Sequence, residues 1–103
     1  MTGYMKGYQV VVEDNRSQYE EHGVNIGSVY LSLEAAEREF RHTIEDAKTN
    51  TAGDYDWLAD ALESRPNDIK EKWETERFVM FKDMYSGDKL SIYINETEII
   101  SVC

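Results

Sequence analysis

Two histidines are the only side chains in this 103-residue chain that exchange protons near neutral pH without a shifted pKa. His22 sits in a polar stretch beside Glu20 and Glu21, and His42 sits on or near the polar side of an amphipathic segment. Neither has a Ser or Cys close by in a nucleophile pattern. The single thiol, Cys103, occupies the final position, where chains fray. The expectation is two surface histidines and no catalytic residue, with a small enzyme acting through His22 or His42 as an alternative.

Metal and nucleotide chemistry fare no better. His42 and Asp46 are one helical turn apart, but a metal site needs a third and usually a fourth ligand. Asp54-x-Asp56 opens like a calcium loop, then places Ala59 where the turn glycine belongs and Arg65 where the closing glutamate belongs. Helix capping by Asp54 or Asp56 accounts for these residues. The six glycines form no phosphate loop, and Gly3 and Gly7 miss the required spacing. No metal or cofactor is expected.

The remaining chemistry is charge. Twenty-one acidic residues face eleven basic ones, for a formal net charge of −10. No two basic residues are adjacent and most have acidic neighbours, so direct binding to nucleic acid or an anionic membrane is not expected. The carboxylates concentrate: Glu45, Asp46, Asp54, Asp56, Asp60 and Glu63 lie between positions 45 and 63 against one base, Lys48. Asp68, Glu71, Glu74 and Glu76 follow, diluted by Lys70 and Lys72. On a helix Asp56, Asp60 and Glu63 fall along one side, at spacings of four and three. Tyr55 and Trp57 stand among them, and aromatic anchors inside a charged rim are a common interface design.

The elements that must position these residues follow from periodicity. Tyr8 to Glu13 alternates as a strand, with Tyr8, Val10 and Val12 on one face. Asp14 to Gly23 reads as a loop, and Val24 to Leu31 as a second strand in which Gly27 marks a bulge. Ser32 is a good N-cap for a helix over 33–48, whose apolar stripe is Leu33, Ala36, Phe40, Ile44 and Ala47. Glu34 with Arg38, and Glu37 with Arg41, have the favourable order for ion pairs along its outer side. A second, short helix runs through Leu58, Ala61 and Leu62 and ends near Arg65, ahead of Pro66.

Asn67 to Glu76 fits both periods. Ile69 and Trp73 have helical spacing, while Trp73, Thr75 and Arg77 alternate, which favours a helical turn and then a strand. Arg77 to Met84 and Lys89 to Ile94 form a hairpin around Ser86-Gly87-Asp88, and Glu98 to Val102 makes a last short strand. The expected fold is α+β. It is a single domain over 1–103, with an antiparallel sheet of four or five strands in the order β-β-α-α-β-β and two or three helices packed on one face.

One thiol makes no internal disulfide, the first residues carry no apolar signal run, and no stretch reaches membrane-span length, so a cytoplasmic protein is expected. The functional expectation is a non-catalytic inhibitor. It would lay an acidic face, with Asp54, Tyr55, Asp56, Trp57, Asp60 and Glu63, on the basic surface of a nuclease or DNA-binding protein. That is the class of DNA mimics and phage anti-CRISPR proteins acting in a host cytoplasm, a comparison resting on size and charge and on no residue motif. An immunity protein against a basic toxin would use the same face. A homo-oligomer paired through its last strand is a further alternative.

Overall fold

The computed structural model describes residues 2–16 and 21–102, with side chains described for 5–16 and 23–99. The elements run β1 (Thr2–Arg16), β2 (Glu21–Ile26), α1 (Leu33–Thr49), α2 (Asp56–Ser64), a 3-10 turn (Pro66–Asp68), β3 (Ile69–Thr75), β4 (Phe78–Asp83) and β5 (Lys89–Val102). All strand pairs are antiparallel, in the spatial order β2-β1-β5-β4-β3. This is an α+β domain, and it corrects the expected element order. Two strands precede the helices and three follow them, and the helices are two.

Alternation along the strands separates two faces. Val10 and Val12 of β1, Val79 and Phe81 of β4, and Leu90 and Ile92 of β5 point the same way and form the core with Phe40, Ala47 and Leu58. The register agrees: Val12 is opposite Ile92, Ile92 opposite Val79, and Phe81 opposite Leu90. Each large apolar side chain hidden this way contributes about 1.5–3 kcal/mol.

The helical layer covers that face because of where it starts and finishes. The chain leaves the sheet from β2 at one edge and returns at β3, the other edge. The intervening segment must therefore cross the full sheet, about 19 Å at the usual strand spacing. The 17 residues of α1 reach about 25 Å. Ala36, Phe40 and Ala47 are buried beneath it, with Ile44 partly so, and the Ser32 hydroxyl accepts from the Ala35 N–H at 3.4 Å as the expected cap. Arg38 meets Glu34 at 3.8 Å, but Glu37 pairs with Arg77 at 3.4 Å in place of Arg41.

Departures from the sequence reading lie mostly at strand ends. Asp14, Asn15 and Arg16 continue β1 because β2 starts at Glu21 and pairs with them, and residues 17–20 of the expected loop lie outside the described set. The second strand stops at Ile26. Gly27 then donates its N–H to the Val10 carbonyl at 2.9 Å, and an added Cβ would stand 3.2 Å from that oxygen. The helical turn and then strand expected over Asn67 to Glu76 are both present, the turn ending at Asp68, so that Ile69 and Trp73 both fall in strand β3. The two strands expected after Asp88 are one, since β5 pairs continuously with β1 from Lys89 to Val102. Cys103 lies outside the described residues.

An ion pair between half-exposed Arg65 and buried Asp83 ties the helical layer to the β4–β5 connection. Asp83 is 2% exposed. Its carboxylate accepts from Arg65 Nη2 at 2.8 Å and Nη1 at 3.2 Å, from the Tyr85 N–H at 2.9 Å and from the Ser86 N–H at 3.4 Å. The Arg65 guanidinium, outweighing the effect of burial, holds the Asp83 carboxyl down at about 2. A carboxyl depressed in the folded state stabilises it above the ordinary value of 3.8, and that contribution is lost as pH falls through about 2. Arg65→Met, which strands the buried carboxylate, should cost about 3 kcal/mol at pH 7. Urea unfolding of both proteins across pH 7 to 2 checks this, and the gap should narrow towards pH 2.

Candidate functional site

The acidic side chains singled out by spacing fall on α2 and its approach. Leu58, Ala59 and Ala61 are buried, and Leu62 packs against the core, which turns the opposite side of the helix outward. Asp60 and Glu63 are exposed there, and Asp56 continues the same ridge with half of its side chain accessible. Asp54 is exposed just before the helix, and Glu45 and Asp46 are exposed near the end of α1.

The start of α2 is held by Arg16 of β1, not by a side-chain cap. The N-cap residue is Tyr55, which makes no capping hydrogen bond, and Asp56 occupies the first turn, where the helix dipole favours a carboxylate. Arg16 bonds the Asp14 carboxylate at 3.2 Å, donates to the Asp54 carbonyl at 3.2 Å and approaches Asp56 at 3.9 Å. Capping by Asp54 or Asp56 is thereby corrected: a guanidinium from the sheet secures this helix.

The two aromatic residues are engaged inside the fold. Trp57 packs against the core and donates its indole N–H to Asp14 at 3.0 Å. Tyr55 also packs against the core, accepts from the Asn25 amide at 3.5 Å, and has its phenol pKa raised by burial. The ridge therefore presents carboxylates, with the aromatic rings serving as its foundation. Trp73 lies at the sheet edge, 46% exposed, with its ring edge-on to Phe40 at 6.0 Å and its N–H given to Glu71 at 3.0 Å.

Charge is distributed unevenly across this layer. Arg16, Arg38, Lys48, Arg65 and Arg77 are each paired with a carboxylate. Among the described residues, Glu45, Asp54, Asp60 and Glu63 have no ion-pair partner. Arg41 is the exception, an exposed base on α1 with no ion-pair partner among the described residues, and around α2 the carboxylates outnumber the free bases.

The remaining candidates are not gathered into a site. His42 is exposed on α1, and the neighbouring Asp46 accepts from Asn50 at 3.2 Å. The backbone of His22 lies in β2 opposite Asn15, and its side chain is outside the described set. Among the described residues no three His, Cys, Asp or Glu side chains stand together as metal ligands. A depression of about 240 Å³ between β1 and α1, floored by Val10 and Val12 and rimmed by Glu39, Thr43 and Tyr55, is smaller than the roughly 300–1,000 Å³ usual for small-molecule sites. Among the described residues no helix is long and apolar enough to cross a membrane. Comparison with family models, with curated proteins and with solved structures finds no match to this chain.

The engagement of Trp57 has a measurable consequence. Trp57→Phe keeps the packing but removes the hydrogen bond and leaves the Asp14 carboxylate one donor short. It should cost about 1–2 kcal/mol, read as a lower midpoint in urea.

Proposed function

We propose that the chain is a non-catalytic binding protein whose acidic helical layer occupies a basic, nucleic-acid-binding surface of a partner protein. The observation that carries this reading is the unpaired ridge Asp60–Glu63, flanked by Asp54 and Asp56, on a helix that carries no base of its own before Arg65, which is taken by Asp83 and Asp68. Carboxylates at positions 56, 60 and 63 rise about 6 Å and then 4.5 Å along the helix. This is a rigid file of negative charge, able to stand in for part of a phosphate run. Complementary potentials of this kind accelerate encounter and discourage wrong partners. The class of action is that of DNA-mimicking inhibitors, phage anti-CRISPR proteins among them.

The aromatic part of the recognition face is revised. Tyr55 and Trp57 are held by Asn25 and Asp14, so contact rests on Asp54, Asp60 and Glu63, with Asp56 partly neutralised by Arg16. The test is parallel affinity capture with the wild-type protein and Asp60→Lys/Glu63→Lys at low and high salt, followed by a nucleic-acid-binding assay on the captured protein. The expected outcome is a basic nuclease or DNA-binding protein that the wild type retains and inhibits, that high salt releases, and that the double variant fails to hold. Equal capture by both proteins would refute the assignment.

A further inference from the structure

The helices cover one face of the sheet, and the other carries no helix, although Val11 and Ser91 are buried on it among their strand neighbours. On the open face the strand register assembles something the sequence disperses. Lys70 of β3 is directly opposite Lys82 of β4, and Lys82 is directly opposite Lys89 of β5. Lys72, two residues along β3, shares this face and is opposite Met80. Four of the eleven basic residues therefore occupy one corner of an otherwise acidic molecule. Glu71, which lies between Lys70 and Lys72 in sequence, points to the helix side and pairs with Lys48 at 3.2 Å.

Three features mark the row as more than a solvated edge. First, like charges directly opposite each other on neighbouring strands destabilise a sheet, and here two such pairs occur in succession. Second, among the described residues Lys70, Lys82 and Lys89 have no ion-pair partner, whereas Lys72 beside them is paired with Glu74 at 3.4 Å, and Lys6 and Lys48 elsewhere are paired with Glu96 and Glu71. Third, the row adjoins a flat aromatic pair. Phe78 and Tyr93, opposite each other on β4 and β5, stack at 4.9 Å with planes 7° apart. Tyr93 is four residues from Lys89, about 13 Å along β5. Glu13, a carboxylate of this face that borders the same depression as Lys89, interacts with the Tyr93 hydroxyl.

We propose that the open sheet face binds a short single strand of nucleic acid, its phosphates on the Lys70–Lys82–Lys89 row with Lys72 beside it, and a base extending the Phe78–Tyr93 stack. An anionic backbone relieves the repulsion between the lysines, and every base has a face that an aromatic stack accepts. An acidic peptide would satisfy the lysines but has no use for the paired rings. The net charge of −10 does not forbid the site, because exposed charges are screened over about 8 Å at physiological ionic strength and the molecule is 25–26 Å across its shorter dimensions. This face is separate from the acidic ridge, so either assignment stands or falls without the other.

The experiment is fluorescence anisotropy of a labelled ten-nucleotide oligothymidylate titrated with the whole protein, alongside thermal unfolding. Binding should fall in the roughly 1–100 µM range of sequence-independent association and weaken with salt at a log–log slope of about −2 to −3. Lys82→Glu should lower affinity about tenfold or more while raising Tm by about 2–5 °C, because it converts two repulsive pairs into attractive ones. Tyr93→Leu should weaken binding roughly fivefold or more through lost stacking. Arg38→Glu, on the helical layer, should leave affinity unchanged. The proposal is overturned if no binding is seen, if Lys82→Glu or Tyr93→Leu binds like the wild type, or if a poly-glutamate of matched charge displaces the strand as well as unlabelled oligonucleotide does.

Discussion

The Arg65–Asp83 ion pair stands at the point where the chain passes from helices back to sheet. Arg65 ends α2, its N–H bonding the Ala61 carbonyl, and Pro66 forbids any continuation. The same guanidinium reaches Asp68 at 3.0 Å in the turn leading to β3, and lies over the Tyr85 ring at 5.1 Å. The turn that follows α2 and the turn that follows β4 thus converge on one planar cation. The Asp83 carboxylate, once buried, depends on its donors: two from Arg65, two from the backbone of the turn that follows β4, and the Ser86 side chain. Gly87, at φ 85°, then lets that turn close into β5. Loss of the arginine would unseat α2 from the sheet and leave a buried charge unanswered. Because α2 carries the acidic ridge, the orientation of the candidate binding face depends on a contact outside it.

Much of the fold was legible in the sequence, and the reasons are specific. The stripe Ala36, Phe40, Ile44 and Ala47 has only one solution, a helix with that side buried. Tyr8, Val10 and Val12 alternate as only a strand does, and Ser86-Gly87-Asp88 could hardly be anything but a turn. What could not be read were strand ends sustained by partners. Asp14, Asn15 and Arg16 have poor strand propensity, but the ladder to β2 and the bond to Trp57 hold them extended. Ile69 and Trp73 satisfy a spacing of four, which suits a helix and equally the same side of a strand.

The candidate sites were legible to different depths. Asp56, Asp60 and Glu63 form a ridge because helical spacing alone decides it. Whether Tyr55 and Trp57 faced solvent or core depended on Asn25 and Asp14, thirty and forty-three residues away, and no local pattern encodes that. The lysine row was invisible for a related reason. Lys70, Lys82 and Lys89 become neighbours only through the register of three strands, and acidic residues between them in sequence conceal the grouping. The signal that could have revealed it was alternation in Lys70-Glu71-Lys72, which assigns opposite charges to opposite faces once that segment is recognised as a strand.

The position of β5 bears on how such a chain acquires its shape during synthesis. β5 follows every other element, but in space it lies at the centre, joining β1 to β4. Until it has left the ribosome, the nascent protein holds two detached hairpins, β1–β2 and β3–β4, with the helices strung between them. Neither hairpin presents more than half of the apolar floor that α1 and α2 require. Closure comes at one stroke, when a single late strand pairs on both sides. The pairing of Thr2 with Val102 spans nearly the whole described chain, a loop closure whose entropic cost makes assembly slow. A net charge of −10 opposes association between such unfinished chains by like-charge repulsion.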